Sequence, residues 1–299
     1  MNFIIYTPHY DPESGGIIVL YKLYSLLNKH GHTAKIWNWT KMHSHENRII
    51  NGKISAGYLI PATISKVDIE CPYLINFAKE IDIQDSVVIY PEIVDGNPLG
   101  GQRVVRWLLN KPGAITGTVS YGLDELIIYH SEHFLPFGAK VNHRHQVKLF
   151  EYREDLYNDI KPVKRNNCYF MVRKGGDIPL TYHPPGAIQV DGLRHRELAP
   201  LFQTAELFIS YDLHTAYSAF ASICGCDSVV VPRTGMSKDQ WKSGEDVSEM
   251  NGIAYGLDDI QRARNTRPDL LNSFKQLEAL NYSQVANFTQ LCRDYFNQQ

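Results

Sequence analysis

The opening of the chain constrains the fold most. In "FIIYTPHYDPESGGIIVLYKLYSLLNKHGHTAKIW" a short apolar strand enters a loop of turn formers, then a long run with helical periodicity, then a second strand. Ile17, Leu20, Leu23, Tyr24 and Leu27 recur at the spacing of one helix face. Gly31 stands where a glycine commonly closes a helix. Strand, loop, helix, strand in this order predicts the start of a parallel α/β sheet.

The same vocabulary continues along the chain. "DSVVIYPEI" reads as a buried strand, "QRVVRWLLNKPG" as a helix closed by Pro112 and Gly113, and "DELIIYHSEHF" as a strand with its exit loop. "KVNHRHQVKLF" reads as a further strand, while "ISAGYLIPATI" supports no assignment. Residues 153–167, "REDLYNDIKPVKRNN", are charged and without apolar period, which predicts a linker. The pattern then restarts. "CYFMVRKG", "AIQVDG", "ELFISYD" and "DSVVVP" read as strands, and "RHRELAPLFQTA" and "AYSAFASICG" as helices. "NGIAYGLDDIQRARNT" is a strand turning into a helix, and the tail from Pro268 reads as two amphipathic helical segments. Two α/β units of similar size follow from this, residues 1–155 and 165–270, with a helical tail over 275–299. Parallel-sheet units of this kind bind ligands at the C-terminal ends of their strands.

Composition narrows the function classes. A chain of 299 residues with 43% hydrophobic and 21% charged residues is that of a soluble globular protein. A formal net charge of -2 offers no case for bulk nucleic-acid binding. No apolar run reaches the roughly 18–20 residues of a membrane span, and "MNFIIYTPHY" lacks the basic start and long apolar core of a signal peptide. Five scattered cysteines in a chain of this size point to reduced thiols and a cytoplasmic location. In that compartment the sequons at Asn38, Asn281 and Asn287 carry no glycan.

Three segments carry the candidate chemistry. In "YDLHTAYSAF" a strand ends and a helix begins near Thr215, so unpaired helical N–H groups suit a phosphate. Thr215 and Ser218 offer hydroxyls and His214 a charge-assisted hydrogen bond, although Asp212 or Thr215 serves equally as a plain helix cap. In "MVRKGGD", Arg173 and Lys174 end the first strand of the same unit beside two glycines, a pair of cations suited to a diphosphate. In "DPESGG", Gly15 and Gly16 start the first helix, without the G-x-G-x-x-G of a dinucleotide site. Glu92 ends a strand, Asp95 follows it, and Arg103 and Arg106 share one face of the expected helix, where they suit an anionic acceptor or a plain solvated face. The histidines at 43–45, 130–133 and 143–145 complete no ligand set, so no metal site is expected. His9 and His133 each follow a strand end and suit acid–base or substrate contact. Cys224 and Cys226 form a lone C-x-C around Gly225, which reads as packing rather than zinc binding.

With these segments in order, the chain resembles glycosyltransferases of the GT-B fold, in particular those of bacterial surface-polysaccharide synthesis. The likeness rests on the opening strand, glycine-pair loop, helix and Gly-His step, on "VVIYPEIVDGNPLGGQRVVRWLLNKPG", and on "LFISYDLHTAYSAFASICGCDSVVVPRTG". It implies two Rossmann-like domains facing across a cleft, with the C-terminal helix crossing back to the first. It also implies a nucleotide-sugar donor as substrate, no separate cofactor, and a glycan or lipid-linked acceptor. Arg173 and Lys174 would meet the diphosphate. Asp212, His214, Thr215, Tyr217 and Ser218 would lie along the phosphates and donor sugar, with Gly15 and Gly16 approaching from the other domain. A lipid-linked acceptor would bring the chain to the inner face of the membrane.

The likeness has a departure. Many relatives carry a second glutamate that binds the ribose, and here no glutamate lies between Glu206 and Glu245. No ribose ligand and no stereochemical course are therefore implied. If the reaction inverts, a base must deprotonate the acceptor hydroxyl, and His9, Glu13, Glu92 and Asp95 are the candidates. A sugar-nucleotide epimerase on the same fold, and a non-catalytic glycan-binding or partner protein, are the alternatives.

Overall fold

The computed structural model describes residues 1–39, 48–50, 53–55, 71–162, 164–242 and 250–297. The histidines at 43 and 45 and the segment "ISAGYLIPATI" lie mostly or wholly outside the described residues. The chain divides into two compact units. One comprises Met1–Glu151 with Glu278–Gln299, the other Tyr152–Leu277.

The first unit is built on five parallel strands, β1 (Asn2–Thr7), β2 (Thr33–Asn38), β5 (Ser86–Pro91), β6 (Arg103–Leu108) and β7 (Leu126–Tyr129), in the order β2-β1-β5-β6-β7. Between β2 and β5, β3 (Arg48–Ile50) and β4 (Lys53–Ser55) pair antiparallel as a separate ribbon. Helix α1 (Gly15–Lys29) links β1 to β2. Its end shows why glycine stands at 31. Gly31 adopts φ 78°, its N–H bonds Asn28, and the N–H of His32 bonds Leu27, the paired bonds that close a helix through a left-handed residue.

Strand periodicity sorts this unit's core onto two faces. Phe3, Ile5, Val87, Ile89, Val105 and Trp107 pack under α1 and under Val285, Phe288, Leu291 and Cys292. Ile4, Tyr6, Val88, Tyr90 and Val104 face the other way, against Trp39, Ile83 and Val94.

The second unit repeats the plan. Its strands are β8 (Asn166–Met171), β9 (Ile188–Gln189), β10 (Ala205–Ser210), β11 (Asp227–Val230) and β12 (Ile253–Tyr255), all parallel, in the order β12-β11-β10-β8-β9. Counted within each unit the strand order is the same, 2-1-3-4-5, one of the common orders of α/β sheets. Helices α2 (His195–Thr204) and α3 (Ala216–Ile223) cover one face through Leu198, Ala199, Phe202 and Ala221. Tyr182, Ile260 and Ala263 lie on the other, against Phe170, Ile209 and Val229. A short helix, α4 (Lys238–Lys242), follows β11 and buries Trp241. Helix α5 (Ile260–Phe296) begins in this unit and ends in the first.

Four expectations require correction. Residues 103–108 are a strand, not a helix. "VVRWL" is buried almost throughout, and a parallel strand covered on both faces reads as a continuous apolar run. The "KVNHRHQVKLF" segment holds a short 3-10 turn at His143–His145 and a single bridge from Gln146 to Tyr129 instead of a strand. The expected linker is part of the second unit. Tyr157 is fully buried there, its ring stacked on Phe220 at 4.2 Å, and β8 already begins at Asn166. The tail is one helix that runs through Pro268. Proline removes one helical N–H, yet the helix continues, with Leu270 and Phe274 buried just beyond.

No helix among the described residues is long and apolar enough to cross a membrane.

Candidate functional site

In a 2-1-3-4-5 sheet the first strand has its sequence successors on both sides. The loops leaving the first and third strands therefore diverge and open a crevice at the carboxyl edge. In the second unit those loops are Val172–Asp177 after β8 and Tyr211–Thr215 after β10. They hold the basic pair and the phosphate-loop residues singled out in the sequence.

The first loop is a tight 3-10 turn, Arg173–Gly175. Arg173 adopts φ 43°, a left-handed conformation that costs a non-glycine residue on the order of 1–3 kcal/mol and is commonly held at functional sites. Asp191 holds it: one carboxylate oxygen accepts from the N–H of Arg173 at 2.8 Å, and the N–H of Val172 reaches the same group at 2.9 Å. Those two amides are thus engaged by Asp191. Gly175 presses against the second loop. A Cβ there would meet the carbonyl oxygen of Tyr211 at 2.0 Å, so only glycine lets the two loops touch.

The second loop is set by its own side chains. Asp212, buried, accepts from the N–H of His214 at 3.1 Å. Thr215 caps α3, its hydroxyl accepting from the N–H of Tyr217 at 3.4 Å. Across the crevice the Arg173 guanidinium lies 5.0 Å from the Tyr217 ring centroid and 3.8 Å from Asp212. Lys174 is exposed and makes no ion pair among the described residues. Ser218, in the first turn of α3, is 2% exposed, and its hydroxyl has no hydrogen-bond partner among the described residues. A buried hydroxyl left unpaired costs free energy.

Two groups in this crevice escaped sequence reasoning. Asp191 follows β9 in "QVDG", and only the structure shows that it orders the Arg173 turn. Arg233 follows β11 in "VPRTG" and reaches the same place from the next strand. It donates to the Tyr211 carbonyl at 3.4 Å and pairs with Asp177 at 2.7 Å. A cation just past a strand end is the signal that marks both Arg173 and Arg233 in the sequence.

The corresponding edge of the first unit lies after β1 and β5. Glu92, one residue beyond β5, is 4% exposed and accepts from the N–H of Leu109 at 3.1 Å. Burial pushes its carboxyl above the ordinary range, against the pull of that amide. A Cβ on Gly16, in the first turn of α1, would lie 3.8 Å from the side chain of the same Leu109. The helix start and Glu92 are therefore neighbours through Leu109, with Gly15 exposed beside them. His9 is half-buried after β1 and Glu13 is exposed ahead of α1. Thr7 at the end of β1 and Asn38 at the end of β2 are buried, and the Thr7 hydroxyl and the Asn38 Oδ1 have no hydrogen-bond partner among the described residues. Asp95 instead fastens its own loop, accepting from the Thr118 hydroxyl at 2.6 Å and the Ser120 N–H at 2.9 Å.

The expected pairing of Arg103 and Arg106 on one face does not exist. In a strand, residues three apart point to opposite sides. Arg106 is fully buried between the rings of Tyr90 and Tyr121 and makes a two-bond pair with Glu125, both at 2.9 Å. It is a core tie, not an anion site.

Among the described residues no group of three or more His, Cys, Asp or Glu is placed to hold a metal ion. His130 and His145 bond backbone oxygens of Leu149 and Ile127, His143 lies 3.3 Å from Glu132, and His133 is exposed. Cys224 and Cys226 are fully buried in the second unit's core. Burial raises both thiols, Cys224 to about 12, which leaves them protonated and unreactive.

No protein-family model matches the chain, and a comparison with curated proteins returns no match.

Proposed function

We propose that the chain is a glycosyltransferase that takes a sugar from a nucleoside-diphosphate sugar and transfers it to a glycan or lipid-linked acceptor. One observation carries this reading. At the switch point of the second sheet, Arg173 and Lys174 on a strained turn meet the capped start of α3 with its buried Ser218, unpartnered among the described residues. Cations at a strand edge, with the positive end of the α3 dipole beside them, suit a diphosphate. The same groups stabilise the charge that grows on a departing nucleoside diphosphate. Neutralisation by these groups makes the reaction metal-independent.

In this reading the first unit supplies the acceptor side. Among the candidate bases Glu92 is best suited, being buried at the corresponding strand edge with a carboxyl raised by burial. A general base works best when its pKa approaches the working pH. Asp95 is less suited, because both its oxygens are engaged by the loop. The reading carries with it the GT-B arrangement of two such units facing a common cleft, and a site of action at the inner face of the membrane where lipid-linked acceptors reside.

The test is a thermal-shift panel of UDP, GDP, CMP and dTDP, because a ligand bound only by the native state raises its melting temperature. One nucleotide stabilises the wild type, and the Arg173→Ala/Lys174→Ala double variant folds but loses that response and turnover with the matching sugar nucleotide. Wild-type turnover in the double variant overturns the reading. An isomerised sugar nucleotide formed without acceptor replaces it with an epimerase, and silence from every nucleotide replaces it with a non-catalytic role.

A further inference from the structure

The donor crevice holds a third cation that is already occupied. Arg233 leaves β11, the strand beside β10, and its guanidinium bridges two points. One nitrogen donates to the carbonyl oxygen of Tyr211 at 3.4 Å, the residue immediately before Asp212. The other donates to the carboxylate of Asp177 at 2.7 Å. That Tyr211 oxygen is the atom against which Gly175 packs. Arg233 therefore sits at the contact between the two loops that carry Arg173, Lys174 and Asp212. It is mostly covered, its side chain 17% exposed, whereas Asp177 is 71% exposed.

This asymmetry has a physical meaning. An exposed carboxylate gains little from an ion pair, because water solvates it nearly as well. A mostly covered guanidinium, by contrast, needs an anion. Asp177 belongs to the same "RKGGD" turn as the basic pair, and Gly176 ahead of it is exposed, with room around it: a Cβ there would meet only the Val172 side chain, at 3.8 Å. The carboxylate can leave without disturbing the packed Gly175.

We propose that Arg233 is an anion-binding residue of the donor crevice and that Asp177 is an internal stand-in for the ligand's phosphate, displaced when the nucleoside diphosphate enters. This rests on the proposed nucleotide-sugar reading. It makes the free site self-occluding: a ligand must offer an anion better than the Asp177 carboxylate. A diphosphate meets that condition, since phosphate oxygens pair bidentately with a guanidinium. A neutral sugar does not.

The competing account is that Asp177 and Arg233 merely fasten the loop. If Asp177 only fastens the loop, its loss leaves anion affinity unchanged or weaker apart from a small, salt-screened charge effect; if it occupies the site, the gain is several-fold and persists at high salt. The probe is the nucleotide that gives the largest thermal shift to the wild type, with inorganic pyrophosphate alongside, titrated calorimetrically. If Asp177 competes, Asp177→Asn tightens both several-fold, while Arg233→Ala weakens both ten-fold or more and Arg233→Lys falls between. Unchanged or weaker binding by Asp177→Asn overturns the proposal. Should Arg233→Ala fail to fold, Asp177→Asn alone decides, since it removes only an exposed charge. Failure of the wild type to bind any nucleotide or pyrophosphate is a different outcome: it rejects the nucleotide-sugar reading and this proposal with it. Binding by the wild type with an unmoved Asp177→Asn rejects this proposal alone.

Discussion

Gly175 and Tyr211 meet backbone to backbone: a methyl group on residue 175 would lie 2.0 Å from the Tyr211 carbonyl oxygen. Backbone cannot yield as a side chain can, so Gly175→Ala forces the Arg173 turn away from the second loop. Overpacking of this kind costs about 1–3 kcal/mol. Gly176→Ala, one residue on, would meet only the Val172 side chain at an ordinary 3.8 Å and is expected to be near neutral. Urea unfolding of the two variants checks the contrast. Equal stabilities would show that the loops do not touch in solution.

Glu92 should reveal its burial through pH. Its folded carboxyl is raised above the ordinary value of 4.5, chiefly by desolvation. The native state then holds a proton that the unfolded state has lost, so this group's contribution falls as pH rises through 4.5 and upward. Glu92→Gln removes the charge and is expected to stabilise the protein at pH 7, with the gain vanishing below pH 4.5. The same variant should lose turnover if Glu92 is the base. A stabilised, inactive variant is the signature of a residue held for chemistry at a cost to the fold. Melting curves at pH 4 and 7 with an activity assay decide it.

Asp259 shows the opposite sign. Burial works against its charge, but a hydrogen bond from Arg262, the Tyr255 amide and Lys238 together bring its carboxyl down to about 2. Such a group stabilises the fold above its unfolded pKa of 3.8, and that contribution is lost as pH falls toward 2. Asp259→Asn should cost about 2 kcal/mol at neutral pH and little at pH 2. A loss that is the same at both pH values would assign it to packing instead.

Arg106 and Glu125 form a buried pair, the first fully buried and the second nearly so. Removing one partner strands the other's charge. Glu125→Ala is therefore expected to cost about 3–5 kcal/mol, with Arg106→Met/Glu125→Leu milder than either single change. Chemical denaturation of the three variants tests this, and additive losses would contradict a coupled pair.

This pair also marks where sequence reasoning failed. A run such as "VVRWLL" fits a buried strand and a buried helix alike, and periodicity alone cannot separate them. Arg103 and Arg106, three apart, share a face only if the run is a helix. The partner that makes a buried arginine tolerable, Glu125, lies nineteen residues away in sequence. Local pattern cannot find it. The linker reading failed for a similar reason: the charges of "REDLYNDIK" outweighed one Tyr157, yet that ring is the anchor. What was legible depended on local rules. Strand-to-helix steps, the Gly31 helix end, the Thr215 cap and cations at strand ends all announce themselves within a few residues. Their convergence depends on sheet order, and so Arg173 could be singled out while Asp191 could not.

Ser218 and Thr215 make the last comparison, because both hydroxyls stand at the start of α3 and do opposite things. The Thr215 hydroxyl caps the helix, accepting from the Tyr217 N–H; Thr215→Ala should cost about 1 kcal/mol. The Ser218 hydroxyl is buried with no hydrogen-bond partner among the described residues, so it costs stability in the free protein. Ser218→Ala removes an unsatisfied group and should leave the protein as stable or up to about 1 kcal/mol more so. If the hydroxyl is held for a phosphate, the same variant should show a smaller nucleotide-induced melting shift than the wild type. Thr215→Ala should lose stability with and without nucleotide alike. The check is a four-way set of melting curves, each variant with and without the stabilising nucleotide. A Ser218→Ala protein that is less stable when free would mean that the hydroxyl packs usefully in the core. One that keeps the full nucleotide response would mean that the ligand does not reach it.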